Sequence, residues 1–136
     1  MKYKFIDDLT SDILFEAYGG GLKELFVNAA SALFSVICQI EKIRPKLKRE
    51  VEVRGEGIKD LMFNWLQELI SLADLEGMFF SKFKVIKIDG KHLKAECYGE
   101  GITKGKGGTL VKGVTYHKFG VEKTKSGYKV TVSLDI

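Results

Sequence analysis

The sequence predicts a single α+β domain over residues 1–136, a mostly antiparallel sheet with two amphipathic helices packed on one face. Two stretches, starting at Leu22 and Ile58, repeat apolar residues every three or four positions, the spacing of one helix face. From Met78 onward the apolar period shortens to two, as in half-buried strands. Between two of these alternating runs stands Asp89-Gly90-Lys91-His92, and Asp-Gly in that setting is a strong hairpin signal. With 136 residues, 45% hydrophobic and 29% charged, the chain is long enough to bury one core of its own.

Tyr3 to Asp8 and Asp12 to Tyr18 read as two short strands. In the second, Ile13, Phe15 and Ala17 alternate with Asp12, Glu16 and Tyr18, while Leu14 breaks the polar face. The acid-rich connection from Asp7 to Asp12 suits a turn or bulge. After Gly19-Gly20-Gly21 comes the first helix, its stripe running from Leu22 through Phe26, Ala30 and Phe34 to Cys38. It fades before Arg44-Pro45, where proline cannot continue the hydrogen-bond ladder. Leu47 to Arg54 sets Leu47, Val51 and Val53 among charges, as an edge strand does.

The second helix carries Ile58, Leu61, Met62, Trp65, Leu66, Leu69, Ile70 and Ala73 on one side, with Asp60, Asn64, Glu68 and Ser71 on the other. Trp65 stands mid-stripe, and burying such a ring contributes roughly 2–3 kcal/mol, reason enough for its presence. Four strands follow: Phe83 to Ile88, Leu93 to Tyr98, Val111 to Val121 and Tyr128 to Leu134, the last pair joined across Lys123 to Gly127.

Composition narrows the function. Cys38 and Cys97 are far apart and sit among apolar neighbours, which fits buried reduced thiols and neither a zinc site nor a disulfide framework. No apolar run is long enough to cross a bilayer, and the opening Met1-Lys2-Tyr3-Lys4-Phe5 enters a strand pattern directly rather than a secretory signal. A cytoplasmic protein without membrane contact is expected. The net charge of +4 permits nucleic acid or an acidic protein as partner without demanding either. Because the aromatics fall mostly on core stripes rather than beside lysines, any RNA contact is expected to be indirect or weak.

No conventional catalytic set is present: no nucleophile elbow, no Cys-His pair in context, no His-Glu-x-x-His helix. His92, at a turn, reads as a surface residue, and His117 as a strand histidine bonded to polar neighbours. The loop Gly99 to Gly108 is rich in glycine and lysine but lacks the P-loop order and a following helix, so a mobile surface loop is expected. The carboxylates remain. In Tyr128 to Asp135 the apolar residues share one face, which puts Asp135 on an open polar face beside Ile136 and its terminal carboxylate. If the second and last strands are neighbours, Asp12 and Asp135 can converge at one sheet end. Carboxylate and carbonyl oxygens completed by water would suit Ca²⁺ or Mg²⁺.

Four segments resemble the archease family in order and separation over almost the whole chain. Asp8-Leu9-Thr10-Ser11-Asp12 resembles its Asp-His-Thr-Ala-Asp opening, and Trp65-Leu66-Gln67-Glu68-Leu69 its Trp-Leu-Asn-Glu-Leu helix. Lys112-Gly113-Val114-Thr115-Tyr116-His117 is similar to its Lys-Ala-Val-Thr-Tyr-His segment, and Asp135-Ile136 to its Asp-Ile terminus. Leu9 replaces the family's histidine, and Gly57, next to Glu56, stands where an acidic residue is usual.

The resemblance implies a protein cofactor, not an enzyme, for the RtcB-type RNA ligase of tRNA splicing and RNA repair. Such cofactors promote GTP-dependent guanylylation of the ligase and its repeated turnover. It implies a divalent-metal site at Asp12, Asp135 and an oxygen of Ile136, filled by Ca²⁺ in preference to Mg²⁺ or Mn²⁺, with Asp8 as an additional acidic contact. Lys112 matches a functional lysine that would touch phosphate or the ligase, and a monomer is expected. Two alternatives stand beside it: a chaperone-like modulator of tRNA methyltransferases or other RNA-processing enzymes, and a metal-dependent phosphohydrolase using Asp8, Asp12 and Asp135.

Overall fold

The computed structural model describes residues 1–7 and 12–136. Its elements run β1 (Tyr3–Ile6), β2 (Ile13–Gly19), α1 (Leu22–Ile37), a short 3₁₀ turn (Ile40–Lys42), β3 (Leu47–Arg54), α2 (Ile58–Glu76), β4 (Met78–Ile88), β5 (His92–Gly101), β6 (Gly113–Thr124) and β7 (Gly127–Asp135). The α+β class and the order of elements are those the hydrophobic periods predict. The strands, all antiparallel where paired, divide into two sheets rather than one, in the orders β1-β2-β7-β6 and β3-β5-β4. Period-two alternation fixes which residues share a face, but it carries no information on which strands become neighbours.

One core joins both sheets to both helices. Phe26, Ala30, Leu33 and Phe34 of α1 and Leu61, Trp65, Leu66 and Leu69 of α2 are fully buried, as are Phe15, Val130 and Val132 from one sheet and Phe80, Leu93 and Cys97 from the other. Trp65 ties the helices together, its indole Nε1–H donating to the Phe26 carbonyl at 3.0 Å. Gly77 ends α2 in the left-handed conformation (φ 60°), where glycine avoids a Cβ clash. Burial pushes both thiols, Cys38 and Cys97, up to about 12, which leaves them protonated and inert near neutrality. Among the described residues no helix is long and apolar enough to cross a membrane.

β4 begins five residues before the alternation is clear, because Met78, Phe79 and Phe80 are all buried. A bulge between Phe80 and Lys82 then restores the alternation. At that point Gly99 of β5 lies against the backbone of Phe79, and a Cβ would run into the Phe79 carbonyl oxygen. Gly99→Ala is therefore expected to destabilise by about 1–3 kcal/mol, as overpacking does. Gly101→Ala, two residues along, meets only the Gly77 carbonyl at 4.0 Å and should stay within about 0.5 kcal/mol of wild type. Urea denaturation of the two variants checks the contrast.

Candidate functional site

The alternation of β7 buries Val130, Val132 and Leu134 and sends Asp135 outward, where it is exposed. Its neighbour β2 pairs Leu14 with Ser133 and Ile13 with Leu134, and one more step of that register puts Asp12 opposite Asp135. On the other side β6 pairs Gly113 with Asp135, and the Lys112 amide donates to the Asp135 carbonyl oxygen at 2.7 Å. Residues 12, 112 and 135 thus meet at one end of the four-stranded sheet, with Ile136, 39% exposed, following directly. Asp8 and Leu9 lie outside the described residues.

The polar face of β7 is less open than its alternation predicts. Lys129 and Thr131 are half-buried, and Ser133 is completely buried. Its hydroxyl donates to Asp12 Oδ2 at 3.5 Å, a long contact. Thr115, the β6 partner of Ser133, has its Oγ1 buried without a hydrogen-bond partner among the described residues. One hydroxyl therefore lies beside the Asp12 carboxylate, and a second stands on the next strand opposite Ser133. Sequence reasoning missed both, since serine and threonine on a polar strand face look like solvated residues.

Every donor gathered here is oxygen: two carboxylates, the main chain at Ile136 and the neighbouring hydroxyls. That set fits a hard divalent cation and lacks the nitrogen and sulfur ligands typical of zinc. Among the described residues no three His, Cys, Asp or Glu side chains converge on one point. A cation would accordingly need a main-chain oxygen and water beside Asp12 and Asp135. The Asp135 carbonyl already accepts the Lys112 amide, so its carboxylate is the group to offer.

Two depressions flank this end. One, of ≈ 570 Å³, is lined by Gln67, Ile70, Met78 and Phe79 and has Lys112 on its wall. The other, of ≈ 660 Å³, is acidic and takes in Asp7, Asp12 and Glu41. The segment Gly108–Thr109 borders both. Gln67 reaches across from α2, its Oε1 accepting the Val114 amide at 3.0 Å and its side chain lying against Gly113. This contact fixes where β6 starts, and with it the place of Lys112. Glu56 and Gly57 line a third depression with Phe63, Tyr116 and Phe119, apart from Asp12 and Asp135.

The glycine-rich loop is tethered. The amides of Gly108 and Thr109 donate to the carbonyls of Ile37 and Val36 at the end of α1, and the Gln39 amide donates to Lys106. Lys106 Nζ is 3.1 Å from Glu100, and Gly107 forms a bridge with Cys38. Its glycines allow close packing rather than a phosphate cradle: a Cβ at Gly108 would strike the Val36 carbonyl. His92 is half-buried and paired with Glu52 across β3 and β5, its Nε2 2.5 Å from the carboxylate. That contact is the main cause holding the Glu52 carboxyl below its usual range. His117 is exposed, in a bulge of β6 between Thr115 and Gly120.

Compared with known proteins, residues 3–136 match the Archease protein family. The chain belongs to the archease family. Protein archease of Sulfurisphaera tokodaii is 39% identical over 139 residues, covering 99% of each sequence. That of Pyrococcus abyssi is 42% identical over 124 residues, covering 87% of each. The solution structure of a Methanobacterium thermoautotrophicum protein superimposes with a TM-score of 0.85 at 36% identity, covering 98% of both chains. An archease from Thermotoga maritima, described as a possible chaperone, shares the fold with a TM-score of 0.68 at 24% identity, over 96% of this chain and 95% of that one. Three of the four archease-like segments acquire a physical reason here. The helix segment supplies Trp65 to the core and Gln67 to β6, the Lys112 segment edges the final strand, and that strand carries Asp135 to the place where the opening segment ends at Asp12.

Proposed function

We propose that this archease activates an RtcB-type RNA-splicing ligase, promoting its GTP-dependent guanylylation and repeated turnover in tRNA splicing and RNA repair. In this reading it is a cytoplasmic monomer with no catalysis of its own. The single observation that carries the reading is the convergence of Asp12, Asp135 and Lys112 at one sheet end. Asp12, Asp135 and a main-chain oxygen of Ile136 would hold a divalent cation, with Asp8 as a further acidic contact. Ca²⁺ fits best, because it tolerates irregular oxygen geometry and several waters, while Mg²⁺ demands a near-octahedral shell; Mn²⁺ shares the preference for oxygen. When bound, the cation would supply positive charge able to neutralise phosphate.

The protein's own groups do the placing. Asp135 ends β7 and Asp12 immediately precedes its hydrogen-bonded neighbour β2, so the sheet brings the two close at one end. Lys112 is exposed and anchored through its backbone, which leaves its ammonium able to meet a phosphate or an acidic group of the ligase. Guanylylation depends on positioning and charge neutralisation, and both can be lent by a neighbouring protein.

The test is RNA ligation with ligase limiting. Adding this protein should convert a single round into many, and a chelator should abolish the gain. Unchanged turnover would end the proposal. Nucleotide hydrolysis by the protein alone would favour the phosphohydrolase instead. A second reading, a chaperone-like modulator of a tRNA methyltransferase, draws on the exposed Ile102 and Leu110 (53% and 78%) beside the apolar cleft that Lys112 borders. It predicts association with the methyltransferase independent of GTP.

A further inference from the structure

We infer that the outer face of the β3-β5-β4 sheet is a docking surface for a nucleic-acid strand, held through its phosphates. This goes beyond the proposed ligase activation and uses none of its residues. The inner face of the sheet is buried by Val51, Val53, Leu93, Ala95, Phe83 and Val85. The outer face therefore carries the alternate residues, and the register arranges them in rows. Tyr98 lies between Lys48 and Lys82, Glu96 between Glu50 and Lys84, and Lys94 between Glu52 and Lys87, with Arg54 opposite His92 at the end. Six cations thus face three carboxylates, a surplus that accounts for most of the net charge of +4.

The surplus is directional. All three carboxylates lie on β3 and β5, whereas β4, an edge strand of eleven residues, contains Lys82, Lys84 and Lys87 and no acid. Two of the three carboxylates are also engaged. Glu52 pairs with His92, and Glu96 takes Lys48 at 3.5 Å and the Tyr98 hydroxyl at 2.8 Å. Among the described residues Lys84, Lys87 and Lys94 have no carboxylate within 4.0 Å. Lys87 even stands directly opposite Lys94, a like-charge pair that weakens a sheet. Lysines on an edge strand also deter edge-to-edge pairing, but that role does not call for a second lysine across the ladder.

The shape selects the partner. Lys82 and Lys84 are two residues apart, about 6.8 Å along the strand, and the run to Lys87 extends about 17 Å. A row of cations along one strand, with a bulge between Val85 and Lys87, suits a linear polymer carrying repeated anions better than it suits an acidic patch on a globular protein. A membrane surface would want bulky apolar groups to insert; beside this track the exposed large apolar side chain is Ile86. Tyr98 sits among the cations with Lys82 Nζ 5.3 Å from its ring centroid, so one aromatic does lie beside lysines here. One aromatic gives no base readout, and binding should be independent of sequence.

The experiment is fluorescence anisotropy of a short, mixed-sequence single-stranded RNA titrated with the full-length protein over a range of salt. Neutralising about four phosphates predicts a slope of log K against log[salt] near −3. Lys84→Glu/Lys87→Glu/Lys94→Glu should weaken binding at least tenfold at low salt and flatten the slope by about 2. The corresponding triple arginine variant should retain wild-type affinity, which separates loss of charge from loss of fold. Asp135→Ala should bind RNA normally. Binding that is absent at low salt, or unchanged in the triple glutamate variant, would overturn the proposal. So would a polyglutamate peptide or phosphatidylserine vesicles binding as tightly as the RNA.

Discussion

Asp135→Ala is expected to reduce ligase stimulation at least tenfold, close to the level without the protein, while unfolding free energy changes by no more than about 0.5 kcal/mol. The two effects separate because Asp135 contributes to each through different atoms. Its side chain is exposed and is one of the two carboxylates at this end of the sheet, Asp12 lying one residue before the Ile13–Leu134 pair. Its carbonyl oxygen accepts the Lys112 amide at 2.7 Å, and alanine keeps that bond. The variant should thus hold Lys112 in place and lose only anionic charge. With the carboxylate gone, a cation would be left with Asp12, a main-chain oxygen and water, too few strong donors for binding at ordinary concentrations. Calorimetric titration with Ca²⁺ and the rate of ligase guanylylation measure the two consequences independently. Normal stimulation by a variant that no longer binds the ion would show that the acidic end acts without metal. Normal binding and normal stimulation together would remove Asp135 from the site.

The local elements of this fold were legible because each depends on a short run of residues. The three-four spacing of Leu22 to Cys38 and Ile58 to Ala73 predicts α1 and α2, and Asp89-Gly90 predicts the β4-β5 turn. The division into two sheets was not legible, because pairing partners are chosen by packing across the whole chain. The same holds at the candidate site. Asp12 and Asp135 could be singled out as polar residues at strand ends, and their convergence followed only if β2 and β7 were neighbours, as they are. Gln67 gave no warning: on the helical wheel it is one polar residue among several, and its hold on Val114 exists only once β6 has folded against α2. The Gly99 to Gly108 loop misled for a related reason. Glycine permits mobility and also permits close contact, and the choice lies with the backbone that happens to be nearby, here the end of α1.

Trp65→Ala is expected to cost about 3–5 kcal/mol, a large part of the 5–15 kcal/mol by which domains of this size are stable. The ring is completely buried between the helices and β4, with Phe83 edge-on at 6.5 Å. Truncation leaves a cavity that the surrounding aromatics cannot collapse to fill, and it leaves the Phe26 carbonyl without the indole N–H that donates to it at 3.0 Å. Trp65→Phe retains much of the volume and loses the donor, so its cost should be smaller, about 1–2 kcal/mol. Urea denaturation should show both midpoints lowered in that order with little change in slope. The functional consequence runs along the same helix. Gln67 is two residues beyond Trp65 and holds the Val114 amide, so a loosened α2 releases the start of β6 and lets Lys112 drift. Trp65→Ala should accordingly lose ligase stimulation at temperatures below its own unfolding transition, whereas Gln67→Ala should lose stimulation with a stability penalty of only about 1 kcal/mol. A Trp65→Ala protein less than 1 kcal/mol weaker than wild type would mean that the two helices do not meet through this ring, and the placement of Lys112 by α2 would fall with it.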